Sequence, residues 1–148
     1  MTELYEMTIN QIQNDIIEEF SLFTDWTEKY EYLIDMGKSL PLIDAKLKTE
    51  DNLIKGCQSQ VWLDAIIDDQ GMIQFTADSD AIITKGIIAM LIRVLSGQTA
   101  ENIAQTELFF IDKVGLKEHL SLTRANGLSM MVKKMKMYGL AFMAKSGS

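Results

Sequence analysis

The stretch Gly56–Asp80 reads GCQSQVWLDAIIDDQGMIQFTADSD, and its periodicity decides the fold. Val61, Leu63, Ala65 and Ile67 alternate with Gln60, Trp62, Asp64 and Ile66. Successive strand side chains point to opposite faces, so this period predicts a strand with one strongly apolar face. Asp68-Asp69-Gln70-Gly71 predicts a turn, after which Ile73, Phe75 and Ala77 alternate with Met72, Gln74, Thr76 and Asp78. Two alternating runs joined by a short Asp/Gly turn predict a β-hairpin. Just upstream, Gly56-Cys57 reads as a turn and Leu53 to Lys55 as a further short strand.

Helical spacing takes over on both sides of this hairpin. Ile9, Ile12, Ile16 and Phe20 lie on one stripe, with Gln13, Asp15, Glu18 and Glu19 between them and Thr8 placed to cap. A second helix is expected after Thr24 or Asp25, burying Trp26, Tyr30, Leu33 and Gly37, with Pro41 at or beyond its end. Ala45 to Asn52 is polar and irregular. Downstream, Ser79 or Asp80 is placed to cap a helix from Ala81 to Leu95, stopped by Ser96-Gly97. That helix is apolar on nearly every side, which places it in the core. Two short helices are expected around Ala100–Gln105 and Phe109–Val114. A last helix starts near Ser121 or Thr123, with an apolar stripe of Leu128, Met131, Val132, Met135, Tyr138 and Phe142. Lys133, Lys134 and Lys136 form its solvated side. Helices, a small antiparallel sheet of about three strands, then helices again predict an α+β fold, with residues 1–148 as one domain.

Composition narrows the function. The chain of 148 residues carries 14 basic and 21 acidic side chains, a net charge of −7. Phosphate binding needs a basic surface, so nucleic acid is not an expected partner, nor is an anionic membrane. One Cys and one His exclude a disulfide framework and a tetrahedral Cys/His zinc site, and no metal site or cofactor is expected. Met1–Glu6 lacks the features of a signal peptide, and the most apolar run, Ala81 to Leu95, contains Lys85 and Arg93. The expectation is a protein of a reducing compartment, the cytoplasm.

Cys57 is the first candidate for chemistry. A free cysteine is often a small buried hydrophobe. Turns, however, run over the surface and carry function, and Gly56 with Gln58, Ser59 and Gln60 leaves room for a partner to approach. A thiolate there serves as a nucleophile or sulfur carrier. His119 becomes the base of a Cys–His hydrolase only if the fold brings it beside Cys57; otherwise it is a loop histidine with a local hydrogen bond. Asp78 and Asp80 suit metal or acid–base work, or more cheaply helix capping. Met130, Met131, Met135, Met137 and Met143 read mostly as core filler. Arg124 opposes the dipole at a helix start, so a carboxylate or an external contact is expected for it.

Gly56-Cys57-Gln58-Ser59-Gln60-Val61-Trp62 resembles the signature of the SufE family of sulfur-acceptor proteins. Ordered matches extend the resemblance from Asp25 to Met131. They are Trp26-Thr27-Glu28-Lys29-Tyr30 with Leu33, Gly37, Leu40 and Pro41; Asp78-Ser79-Asp80-Ala81 with Lys85-Gly86; and His119-Leu120, Arg124, Gly127-Leu128 and Met131. The resemblance implies a fold shared with IscU-type scaffold proteins. It also implies that Cys57 accepts a persulfide sulfur from a SufS-type cysteine desulfurase, stimulates that enzyme, and passes the sulfur to a SufBCD-type iron–sulfur assembly complex. Asp78, Asp80 and Arg124 correspond to polar positions near the Cys57 loop.

Sulfur relay needs a single thiol that reaches into a partner and is shielded afterwards, because cellular thiols would strip an exposed persulfide. A resting loop that tucks Cys57 against Trp62 or the last helix is therefore expected, with Asp78, Asp80 or Arg124 bracing it. Three other readings stay open from the residues alone. One is a carrier of the same fold for another desulfurase, of the CsdE type. The others are a Cys–His thiol hydrolase and an interaction module in which Cys57 is only core.

Overall fold

In the computed structural model, which describes residues 8–146, β1 (Val61–Ile67) and β2 (Met72–Ser79) pair antiparallel as the expected hairpin. Val61 stands opposite Ser79, and Ile67 opposite Ile73. Asp68 builds the turn: its carboxylate accepts the backbone N–H groups of Gln70 and Met72, both at 2.9 Å. Gly71, with φ +80°, supplies the left-handed residue the turn needs. Val61, Leu63, Ile73, Phe75 and Ala77 are buried on one face, as the alternation requires, but Ala65 is half-buried and Ile67, at the turn end of β1, is exposed.

The third strand lies elsewhere than expected. It is β3 (Gln98–Thr99), after the central helix, paired antiparallel with Met72 and Ile73 to give the order β1-β2-β3. Leu53 makes only an isolated bridge to Trp62. A 3₁₀ turn at Glu50–Asn52 and the left-handed Gly56 (φ +90°) confine Leu53–Lys55 too tightly for a ladder. At the far end of β2 a parallel bridge joins Leu42 to Ala77, and the Pro41 carbonyl accepts the Ala77 N–H at 3.0 Å.

The helices are α1 (Ile9–Ser21), α2 (Trp26–Lys38), α3 (Ile82–Leu95), α4 (Ala100–Gln105), α5 (Phe110–Val114), α6 (Leu116–His119) and α7 (Leu122–Ser146). Thr8 and Gln11 form a capping box on α1, and Asp25 caps α2 through the Glu28 N–H at 2.9 Å. Leu33 and Gly37 are buried on α2, whereas Trp26 and Tyr30 are only half-buried. The reason lies at the α2–α3 crossing, where two glycines meet. A Cβ on Gly86 would stand 2.2 Å from the Leu33 carbonyl oxygen, and one on Gly37 would stand 3.0 Å from the Gly86 nitrogen. The helices touch backbone to backbone there, and the α2 aromatics fall outside the contact.

Two further expectations need correction. Neither Ser79 nor Asp80 caps α3: the cap position is Ala81, without a side-chain hydrogen bond. The helix starts at Ile82, one residue later than an Asp80 cap requires and two later than a Ser79 cap requires, while Asp80 is tied instead to the Gln60 backbone. Gln13, placed on the polar side of α1, is fully buried. Its amide donates to the Glu107 carbonyl at 3.0 Å and accepts the Phe110 N–H at 3.1 Å. A buried amide is tolerated because both ends are satisfied, and it ties α1 to the start of α5. Arg93 donates to both Glu19 oxygens at 2.7 and 2.6 Å, a second tie between α1 and α3.

α3 and α7 complete the layer behind the sheet. Ile87, Ile88, Met90 and Leu91 of α3 and Leu128, Met131 and Met135 of α7 join the sheet's buried face in one apolar cluster. Among the described residues no helix is long and apolar enough to cross a membrane. The N-terminal stretch Met1–Glu6, read above for targeting features, lies outside the described residues.

Candidate functional site

The loop from Lys55 to Gln60 is held at three points. Gly56 turns it with φ +90° and rests on Met130 of α7: a Cβ added there would lie 3.0 Å from the Met130 Cγ. Cys57 follows, half-buried, its thiol donating to the Gly127 carbonyl of α7 at 3.7 Å. Gln60 closes the loop in a two-point clasp with Asp80. Its N–H donates to the Asp80 Oδ1 at 3.0 Å, and its carbonyl accepts the Asp80 N–H at 3.2 Å.

Gly127 lets α7 come this close, because the space its missing side chain leaves is in van der Waals reach of the Cys57 sulfur, at 3.5 Å. Around that sulfur opens a cavity of about 330 Å³. Gln58 and Ser59 line it from the loop, Thr84 and Ile87 from α3, and Ser121, Thr123, Arg124 and Met131 from the other side. Burial pushes the Cys57 thiol pKa above its ordinary value. The resting thiol is therefore protonated at neutral pH, and a protonated thiol is a poor nucleophile.

The other candidates fall into distinct places. Asp80 touches the loop backbone. Asp78 does not: it accepts from Lys48 at 2.9 Å and pairs with Lys85 at 3.3 Å, linking the 3₁₀ region to α3. Burial alone would raise the Asp78 pKa. Hydrogen bonds from Lys48, the Ser79 N–H and Lys85 outweigh it and hold the carboxyl below the usual carboxylate range. Trp62 stands opposite Asp78 on β1 with the Lys48 ammonium 4.7 Å above its ring, so the cover over Cys57 comes from α7 and not from Trp62.

Arg124 lines the cavity from the exposed first turn of α7, where Ser121 Oγ accepts its N–H at 3.2 Å. No carboxylate among the described residues pairs with its guanidinium. His119 stacks on Trp26, with ring centroids 4.1 Å apart, and it does not line the Cys57 cavity. The contact that a Cys–His hydrolase requires is not made. Among the described residues, no group of three or more His, Cys, Asp or Glu side chains is placed to hold a metal ion.

Thr84 and Ile87 as cavity walls, and Lys48 with Lys85 as partners of Asp78, were not legible as site residues. Thr84 left one faint signal, a polar residue in a helix that is otherwise apolar apart from Lys85 and Arg93. The arrangement offers a protonated thiol in a lined cavity, on a loop clasped at its far end by one exposed carboxylate.

Comparison with known proteins adds to this geometry. Residues 14–139 match the model of the family described as "SufE: Fe-S metabolism associated domain". The sulfur acceptor protein CsdE of Escherichia coli is 37% identical over 111 residues, covering 74% of this chain and 76% of that one. An uncharacterised SufE-like protein of Rhizobium meliloti is 37% identical over 130 residues, covering 83% of this chain and 91% of that one. A solution structure of a hypothetical protein from Thermus thermophilus superposes with a TM-score of 0.75 at 16% identity, over 90% of this chain and 96% of the other. That last likeness concerns the fold alone.

Proposed function

The chain belongs to the SufE family, and on that premise we propose that it is a sulfur carrier whose acceptor atom is the Cys57 sulfur. The observation that carries the reading is the placement of Cys57, the only cysteine of the chain. It sits on a loop, half-buried, beside a cavity with room for a second sulfur atom. The donor is a cysteine desulfurase of the SufS type, holding sulfur as a persulfide on its own cysteine.

Transfer is a thiol–persulfide exchange. The Cys57 thiolate attacks the terminal sulfur of the donor persulfide. The new S–S bond forms as the donor S–S bond breaks, and the bonding electron pair leaves on the donor thiolate. The proton lost by Cys57 ends on that thiolate or in solvent, and no net oxidation occurs. Docking must first release the thiol from Gly127 and expose it, because burial disfavours the thiolate that attacks. When the loop folds back, the cavity shields the loaded sulfur from stray thiols. Release to a SufBCD-type assembly complex in the cytoplasm completes the relay, with residues 1–148 acting as one domain and an accessory to the desulfurase, not an independent enzyme. The likeness to the Escherichia coli sulfur acceptor CsdE favours one variant of the reading, in which a different desulfurase is the donor.

The test is desulfurase turnover of cysteine in a thiol reductant. The wild-type chain is expected to accelerate alanine formation by a SufS-type enzyme. Cys57→Ser, nearly isosteric at a half-buried site, is expected to keep its melting temperature and lose the acceleration. Acceleration retained by the serine variant removes Cys57 from the relay.

A further inference from the structure

A second groove runs along the other side of the Cys57 loop, with a volume of about 200 Å³. Leu53, Met130 and Met137 give it an apolar lining, and three lysines, Lys55, Lys133 and Lys134, also line it, the Lys134 ammonium lying 5.5 Å from the Tyr138 ring. We propose that this groove is the docking surface for an acidic, apolar-anchored segment of the desulfurase that loads Cys57. The proposal rests on the sulfur-carrier reading and names where the partner holds on.

The charge pattern points to the occupant. The chain as a whole carries −7, so three lysines on one groove run against its own composition. Among the described residues neither Lys133 nor Lys134 is paired with a carboxylate. Lys55 has only Glu50, at 3.5 Å, with both side chains well exposed, a pairing that screens weakly and yields easily. An acidic partner is repelled by most of this surface and drawn to this part of it, and such complementarity steers encounter and fixes register.

The apolar lining argues for an anchor within the acidic segment. Met137 is 51% exposed, an open thioether on a helix whose Met131 and Met135 are buried. Methionine surfaces adapt to large apolar side chains of varied shape. The position matters as much as the chemistry. Met130 belongs to the groove and also lies directly beneath Gly56, so a segment seated there abuts the residue preceding Cys57. Cys57 and Lys55 thus look into different hollows on either side of one tight turn. The partner can grip one without blocking the other.

The test is persulfide loading of the intact chain by a SufS-type desulfurase with cysteine, read by mass spectrometry as carrier concentration varies. The double variant Lys55→Glu, Lys133→Glu is expected to raise the half-saturating concentration about ten-fold at low ionic strength. The gap should narrow in high salt, where screening shortens to about 3 Å at 1 M. The pair Lys55→Gln, Lys133→Gln is expected to move in the same direction by less. Lys38→Glu with Lys113→Glu makes the same charge change on α2 and α5, outside the groove, and is the comparison for net charge. Equal curves for the groove pair and the comparison pair overturn the proposal. A wild-type chain that takes up no sulfur at any concentration overturns the carrier reading itself, and the docking assignment falls with it.

Discussion

Cys57 lies near the surface on a loop, yet half its side chain is covered by α7. Burial against α7 raises its pKa, so alkylation by a small reagent should rise with pH around a midpoint above the ordinary thiol value of about 8.5. The same shift has a stability consequence. A thiol whose folded pKa lies above its unfolded one helps the fold below the unfolded value, and that help is lost as pH climbs through the folded value. The Asp80 clasp is expected to set how often the loop opens. A hydrogen bond of this kind contributes about 1 kcal/mol net, and Asp80 is exposed, so Asp80→Arg should speed alkylation of Cys57 about five-fold. Its melting temperature should fall little. If Asp80→Arg melts lower and leaves the alkylation rate alone, the carboxylate is structural and the clasp does not gate the thiol. The importance of the Cys57 loop was legible from Gly56, Cys57 and the short polar residues after them. The clasp was not: a backbone N–H twenty positions from a carboxylate leaves no periodic trace, and capping was the cheaper local account of Asp80.

At the scale of elements, periodicity was legible and proximity was not. The β1–β2 hairpin and α3 follow from spacing alone, because alternation and an all-round apolar helix each force a placement. β3 has two residues, too few to carry a pattern, and its pairing depends on where α3 ends. Gln13 escaped for a related reason: it is polar and grouped with Asp15, Glu18 and Glu19, and only the distant Glu107 and Phe110 backbone make its burial favourable. Gln13→Leu leaves the Phe110 N–H unsatisfied and should cost about 1–3 kcal/mol in denaturant unfolding. A variant as stable as wild type would mean that α1 is not tied there. The α2–α3 crossing gives a sharper expectation. Gly86→Ala puts a methyl group 2.2 Å from the Leu33 carbonyl oxygen, where only backbone can yield. The helices must separate, at a cost of about 1–3 kcal/mol or more, although alanine is the better helix former. A gain in stability, the helix-propensity outcome, would contradict the close contact.

Across the whole molecule, helix packing fixes the walls of the Cys57 cavity while the loop alone is held lightly. α3 and α7 are anchored in the apolar cluster, whereas the loop depends on one thiol contact, one glycine on a methionine and one clasp. Asp78 secures the frame, joining β2 to Lys48 and to Lys85 of α3. Its depressed pKa stabilises the fold above the unfolded value of about 3.9, and that contribution is lost as pH falls through the folded one. Asp78→Asn should therefore be less stable than wild type at neutral pH by about 1 kcal/mol and differ less from it in acid, by urea titration at each pH. A constant difference across pH would mean the two lysines do not act through charge. The central claim is that sulfur rides on Cys57, and intact-protein mass spectrometry after incubation with a SufS-type desulfurase and cysteine tests it most directly. The account predicts a gain of one sulfur atom on the wild-type chain, localised to the Cys57 peptide, removed by a reducing thiol and absent from Cys57→Ser. An unchanged mass in the wild type, or an equal gain in the serine variant, would contradict it.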